Sequence, residues 1–387
     1  MKVQKSNKDY PKYKTAIKRS NRMKKNPYNP SFGQKPERFL GRSLIAYEVL
    51  SALDNTNSPW RTTLLIGVRG SGKTALLSDI RESITVSDTI PIFVTPEDDI
   101  LNDVLSQVHA NLPKSLVKNI PKPSKLTVGG SVEFDLNSNS PSFLDNFRYQ
   151  LTIMLEAFKK KEIKLLFLID EAQKHSTSMR TFIATYQHLL RERYDVNLVM
   201  AGLPNVISDI LNDDVLTFLR RANQVELDNV DLSVVEHDFQ EMFCKEFNLS
   251  VETTKNAALI TRGYPYLIQL MGFYLWEFSN AGTLESDVLT QATVQAKAMM
   301  FQNVHKLLYR ELSQGDRDFV YAMILDDSTS KFASIISRTG KTKQYLSTYR
   351  LRLIDRGYIK AVARGEVAFC LPFTKEFLQQ ELTLAEL

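Results

Sequence analysis

Residues 62–80 read TTLLIGVRGSGKTALLSDI. Five apolar or β-branched residues lead into Gly67-Val68-Arg69-Gly70-Ser71-Gly72-Lys73-Thr74, and an apolar helical start leaves it. The eight residues satisfy G-x-x-x-x-G-K-[ST] in a strand–loop–helix context, the setting in which that spacing makes a phosphate cradle. The glycines let the backbone curl so that its N–H groups point inward at phosphate oxygens. The helix N-terminus adds a positive dipole end. Lys73 is placed to reach β and γ phosphates, and Thr74 to ligate Mg²⁺.

Outward from the loop, the chain alternates amphipathic helical stretches with short, mainly apolar runs: Ile90–Val94, Leu165–Ile169, Asn197–Ala201 and Gln224–Leu227, beside Thr63–Ile66. Apolar strands separated by helices predict an α/β fold with a five-stranded parallel sheet covered on both faces. The run from Lys164 ends in Asp170-Glu171. A carboxylate at that strand end can hold the Mg²⁺ shell, a role for Asp170. Glu171 is then placed to orient or deprotonate the attacking water. Arg220-Arg221 precede the last strand, where an arginine can stabilise transferring phosphate charge in cis or from a neighbouring subunit. A helix end that simply carries solvated cations is the plainer alternative.

Composition bounds the rest. The 387 residues are 43% hydrophobic and 10% aromatic, enough for two or three cores and too much for a disordered chain. No apolar run approaches the roughly 18 residues of a membrane span. The N-terminal charges precede no apolar stretch of the secretory kind. Cys244 and Cys370 have neither metal-ligand nor disulfide spacing, and a reducing cytoplasmic location fits. The five histidines, His175 included, show no triad or metal spacing.

The net charge of +5 is unevenly spread. Residues 1–42 hold 13 Lys and Arg against Asp9 and Glu37, and residues 331–364 hold nine against Asp355 alone. Basic blocks flanking an acidic middle suit contact with a polyanion. Residues 1–25 read as a flexible arm, either a DNA contact or a solubilising tail. Asn26–Arg42, rich in Pro and Gly, reads as an extended lead-in. Pro121–Pro141 reads as irregular, with a small hairpin possible at Leu126–Phe134.

After residue 312 the pattern changes. Helices at 314–325, 332–337 and 341–355 are followed by strands at 358–363 and 366–371, the winged helix-turn-helix order. Leu346, Tyr349 and Leu353 carry the spacing for burial. Lys341, Lys343, Gln344, Ser347 and Thr348 face outward at the third helix's start, and Arg364 stands at the wing tip. These can bond phosphates or base edges of double-stranded DNA. The alternative is a module that contacts protein.

Together NPYNPSFG…FLGR, GVRGSGKT, LLFLIDEAQ, AGLP, RR and GYPYLIQLMG resemble the origin-recognition and archaeal-type branch of AAA+ ATPases, and the STAND-like ATPases related to it. The resemblance spans roughly residues 26–375. It implies residues 1–42 as arm and lead-in, 43–230 as ATPase core, 231–311 as helical lid and 312–387 as winged helix-turn-helix. It implies ATP and Mg²⁺ as cofactors. Phe39–Arg42 would lie near adenine, and Pro265 would stand at the lid position where related proteins carry a sensor arginine. In this chain the nearest arginine is Arg262, before the glycine of Gly263-Tyr264-Pro265. Related ATPases sense the γ-phosphate with a polar residue at the tip of the strand ending here in Gly202-Leu203-Pro204-Asn205, where Asn205 lies just beyond the tip.

Three functions are compatible with these readings. One is a Mg²⁺-dependent, slow or partner-stimulated ATPase whose nucleotide state controls DNA binding or self-association, with Arg220 or Arg221 reaching across subunits. A second is a nucleotide switch acting on a protein effector in a mobile-element or phage-defence setting. The third is a DNA-binding protein that holds ATP without turning it over.

Overall fold

The computed structural model describes residues 25–385 apart from 32, 34, 85–87, 96–98, 118–119, 121, 124–142, 173–175 and 215. The basic arm before residue 25, the hairpin expected at 126–134 and His175 lie outside the described residues.

Five strands form one parallel sheet: β1 (Thr62–Ile66), β2 (Thr89–Val94), β3 (Lys164–Ile169), β4 (Val196–Gly202) and β5 (Asn223–Glu226). Their order is β2-β3-β4-β1-β5, with every adjacent pair parallel. Side chains alternate between the two faces of a strand, and both faces are covered here, so β3 is apolar throughout. Leu165, Phe167 and Ile169 pack towards α3 (Ile100–Ala110), α4 (Phe143–Lys159), α5 (Thr177–Arg191) and α6 (Pro204–Leu211). Leu166 and Leu168 pack the other way, towards α1 (Ser43–Ala52) and α2 (Lys73–Ser83). Observed strands differ from the expected ones by a residue at most at either end. For β3 and β4 the agreement follows from burial of both faces, which leaves a nearly continuous apolar run, whereas β5 is polar and exposed at every second residue.

A second apolar cluster belongs to four helices: α7 (Leu232–Phe239), α8 (Val251–Thr261), α9 (Pro265–Asn280) and α10 (Glu285–Met300). Asp231 and Ser250 accept backbone N–H groups at the starts of α7 and α8. Helix α7 runs on through a π turn at Gln240–Cys244, and α10 through another at Phe301–His305 before reaching Arg310. Such turns insert an extra residue and are frequent at functional sites. In the second, His305 is fully buried, donates to the Pro372 carbonyl (2.8 Å) and stacks on Phe377. Burial drives its pKa down to about 4, so the ring is neutral at pH 7.

The last cluster contains α11 (Gln314–Met323), β6 (Ser330–Lys331), α12 (Phe332–Thr339), α13 (Lys343–Asp355), β7 (Ile359–Ala363), β8 (Glu366–Phe369) and α14 (Thr374–Ala385). Ser313 and Asp316 form a reciprocal capping box at the start of α11. Strands β6, β8 and β7 pair antiparallel in that spatial order. Two-residue β6 and helix α14 are additions to the sequence reading. Of the three residues expected to be buried on α13, Leu346 and Leu353 are fully enclosed and Tyr349 is half-buried against Gly315.

Among its described residues the lead-in has no helix, yet it is more than a connector. Tyr28 is only 1% exposed, in the second cluster between Phe239 and Phe243. Its hydroxyl donates to Asp238 (2.7 Å), and Gly272 leaves room for the ring. Asn26 donates to the Phe273 carbonyl and Glu277, Gln269 accepts from the Asn29 N–H and donates to the Arg38 carbonyl, and Arg38 pairs with Asp238 and Glu241. Burial raises the Asp238 pKa against the opposing pull of Tyr28 and Arg38. The segment is a strap fastened to α7 and α9 before the chain enters the α/β core.

Candidate functional site

The loop after β1 lies at the carboxyl end of the sheet, where open parallel sheets bind ligands. Gly70 (φ 72°) and Gly72 (φ 89°) occupy the left-handed region, and Gly72 is the residue from which α2 springs. A Cβ on Gly70 would collide with the Tyr264 hydroxyl, and one on Gly67 with Ser71. Lys73 Nζ donates to the carbonyls of Gly67 (2.8 Å) and Val68 (2.9 Å), inside the loop. Burial lowers the Lys73 pKa to about 8, while the negative charge of Asp170 and Glu171 opposes that fall.

Both acids follow β3. Asp170 is buried and accepts the Glu171 N–H (3.0 Å). Glu171 is exposed and holds φ 52°, a left-handed conformation that costs a non-glycine residue on the order of 1 kcal/mol or more. The turn swings the chain out of the sheet immediately after Asp170, so one acid stays buried and the next stands free.

A cavity of about 470 Å³ joins these groups. Gly70, Gly72, Lys73, Thr74, Asp170 and Glu171 line its floor, and Pro265 and Tyr266 of α9 its roof. The strap supplies a side wall through Pro36, Phe39, Leu40 and Arg42. The roof is bonded to the floor: Tyr264 donates to the Arg69 carbonyl (2.5 Å), and the Tyr266 N–H to the Gly70 carbonyl (3.2 Å). Arg42 is 6% exposed, and its guanidinium reaches the carbonyls of Ser71 and Asp228 with Nε unpartnered. Val68, Arg69 and Ser71 complete the loop; Ser71 is buried with its hydroxyl unpartnered.

The donor set tests the metal expectation. Thr74 offers a hydroxyl and Asp170 and Glu171 offer carboxylates, all hard oxygen ligands facing one cavity, which fits Mg²⁺ bound largely through substrate phosphates and water. No cluster of three or more His, Cys, Asp or Glu able to hold a metal alone occurs among the described residues.

Other expected residues lie elsewhere. Arg220 and Arg221 are exposed in a short 3₁₀ turn, Arg220 donates to the Leu211 carbonyl (2.8 Å), and neither lines the cavity. Arg262 is exposed at the end of α8 and also outside it. Asn205 lies in the first turn of α6 with its side-chain oxygen buried and unpartnered; Leu203 and Val206, not Asn205, line the cavity.

Lys341, Lys343, Gln344 and Thr348 are exposed at the start of α13, Ser347 is half-buried and donates to the Lys343 carbonyl (2.8 Å), and Arg364 is exposed between β7 and β8. The charge excess over 331–364 is smaller in space than in sequence. Arg338 forms a two-pronged pair with Asp326, and Arg352 and Arg356 both approach Asp316. These acids lie outside the 34-residue window and so escape its count. Side chains missed by the sequence reading also share this module's surface: Tyr345, Leu351 and Val362 are 40%, 58% and 44% exposed.

Comparison with known proteins bears on this geometry. Residues 58–211, which carry the loop and both acids, match the AAA domain family. The core has a P-loop, AAA-like fold. Residues 302–378 match a domain of unknown function, DUF8462. A Walker-type ATPase of Pyrococcus abyssi superimposes on the chain with a TM-score of 0.62 at 16% identity, covering 89% of this chain and 97% of that one, a likeness of fold. The ORC2 protein of Aeropyrum pernix, in ADPNP–ADP complexes, gives 0.48 at 11% identity over 92% and 98%. No curated protein matches the chain. Among the described residues no helix is long and apolar enough to cross a membrane.

Proposed function

We propose that the chain binds ATP with Mg²⁺, hydrolyses it slowly, and uses the nucleotide state to set how a C-terminal winged helix engages double-stranded DNA. The observation that carries this reading is the convergence of Lys73, Thr74, Asp170 and Glu171 on one cavity of about 470 Å³ under a lid bonded to the phosphate loop.

In this reading the loop N–H groups and the α2 N-terminus hold the phosphates. Lys73 leaves the carbonyls of Gly67 and Val68 to pair with the β and γ oxygens. Thr74 and Asp170 would hold Mg²⁺, which neutralises charge developing on the transferred phosphoryl group. Glu171, free of the sheet, takes the proton of the attacking water. Phe39, Leu40 and Pro265 provide apolar surface for the base, and Arg42 braces the loop from behind. Arg220 and Arg221, outside their own cavity, act only across subunits, which ties fast turnover to self-association. ADP remains as product and as the second nucleotide state.

On the DNA side, Lys341 and Lys343 contact phosphates, Gln344, Ser347 and Thr348 approach base edges, and Arg364 reaches the backbone. Residues 43–230, 231–311 and 312–387 act as core, lid and winged helix, with 1–42 as arm and strap. The deciding experiment is phosphate release by the full chain with and without duplex DNA, beside Lys73→Ala and Glu171→Gln. DNA-stimulated release lost in both variants supports the reading; release indifferent to DNA refutes the coupling.

One observation favours a second reading, a switch acting on a protein effector. The exposed Tyr345, Leu351 and Val362 suit an apolar partner better than a phosphate backbone. DNA binding through cations weakens steeply with salt, whereas an apolar contact does not.

A further inference from the structure

Three consecutive residues of the phosphate loop are touched, directly or through one relay, by residues from the C-terminal third of the chain. Val68 abuts Gly357, where a Cβ would collide with its side chain. Arg69 pairs with Glu311 (3.3 Å). Gly70 accepts the Tyr266 N–H, and the Tyr266 hydroxyl in turn accepts from Asn303 (3.0 Å). Asn303 and Leu307 also line the cavity itself, so its third wall comes from the segment after α10.

These contacts are built to break at different costs. The Arg69–Glu311 pair is about half-exposed on both sides, so it is weak and easily exchanged. The Glu311 backbone is nonetheless anchored, since its carbonyl accepts from Arg356 (3.0 Å), which leans on the buried Asp316 of the capping box. Gly357 has φ 67°, a conformation that favours glycine, and it lets the turn after α13 lie flat on Val68. The segment reaches the loop from the π turn at Phe301–His305, a departure from regular helix of the kind frequent at functional sites.

Resting on the nucleotide reading above, we propose that Glu311 is a counter-ion that competes with nucleotide phosphate for Arg69, so that binding a nucleoside triphosphate loosens the seam between phosphate loop and C-terminal module. Arg69 lines the cavity and carries one charge. Triphosphate offers it a denser array of anionic oxygens than one half-exposed carboxylate does. When Arg69 turns to phosphate, Glu311 loses its partner, and the Val68–Gly357 packing and the Asn303–Tyr266–Gly70 bonds remain. Because linkage is reciprocal, a loosened seam must strengthen triphosphate binding.

The test uses the full chain, a fluorescent ATP analogue for affinity, and hydrogen exchange at residues 302–312 and 356–358 with Mg²⁺ and either ATP or ADP. Wild type exchanges several-fold faster at the seam with ATP than with ADP. Glu311→Gln exchanges fast without nucleotide and binds the analogue about 2- to 5-fold more tightly, the range expected for one exposed pair. Arg69→Glu combined with Glu311→Arg keeps the seam protected and loses the ATP response. Nucleotide binding with an unchanged seam, or an equal ATP response in all three proteins, overturns the counter-ion role alone. Failure of wild type to bind the analogue overturns the nucleotide reading, and this inference with it. Gly357→Ala, which leaves every charge in place, loosens the seam without abolishing the ATP response; loss of that response in Gly357→Ala would also overturn the counter-ion role.

Discussion

The phosphate-loop cavity and the exposed face of α13 both carry positive charge, but they hold it in opposite ways. In the cavity Lys73 is half-buried, its pKa is pushed down to about 8, and its direction is set by a loop whose glycines adopt conformations other residues avoid. On α13 the lysines stand in solvent, and three arginines of the same window are turned inward onto Asp316 and Asp326. A buried cation acts through position, and its loss leaves a specific hole. An exposed one acts through number, and its loss is graded.

Lys73→Ala tests the buried side and carries the largest expected effect. Removing one partner of a desolvated charged contact costs roughly 3–5 kcal/mol, so nucleotide affinity should fall by about two to nearly four orders of magnitude in a fluorescence titration. Unchanged affinity would mean that the loop is not the nucleotide site. Glu171→Gln should keep binding and reduce phosphate release about 10²- to 10⁴-fold, the usual span for a general base. Equal loss of binding and release would instead make Glu171 a ligand.

Acidity sharpens the contrast next. Nucleotide affinity should be flat below about pH 8 and decline above it as Lys73 loses its proton. Fold stability moves the other way: the folded value lies below the ordinary 10.5, so the unfolded chain binds more protons between the two, and stability rises with pH there. DNA binding measured without nucleotide should show no inflection near pH 8, and a matching inflection in both assays would break the comparison.

The smallest effect belongs to the exposed side. Lys341→Glu with Lys343→Glu should weaken duplex binding about tenfold at low salt and reduce the slope of log affinity against log salt by about 2, one per phosphate contact. Arg338→Ala should leave that slope alone and lower the melting temperature, because its guanidinium already binds Asp326 and the Ala322 carbonyl. A slope that responds to Arg338 and ignores the lysines would move the binding face.

Strands β3 and β4 left runs of mainly apolar residues, because a strand covered on both faces is apolar nearly throughout, whereas β5, Asn223–Glu226, is exposed at every second residue and left a weaker trace. The loop was legible because its glycine spacing answers a local backbone requirement. Strand β6 was too short to leave a pattern, and its pairing joins Ser330 to Val367 and Lys331 to Glu366, across two intervening helices. The charge window misled in part because Asp316 and Asp326 sit outside it and turn inward three of its nine cations. The strap was missed for a related reason: Tyr28 finds Asp238 across 210 positions, and no local periodicity announces that bond.

By itself, then, the sequence determined the parallel core, the phosphate loop and the acids after β3, all of which depend on neighbours in the chain. Tertiary structure alone decided that Asn29, Pro30, Ser31 and Pro36 join Phe39, Leu40 and Arg42 in walling the cavity, that Gly357 and Glu311 meet Val68 and Arg69, and that Arg220 and Arg221 lie outside the cavity. Those outcomes depend on which distant surfaces bury one another. That is a property of the packed whole, and no window of residues carries it.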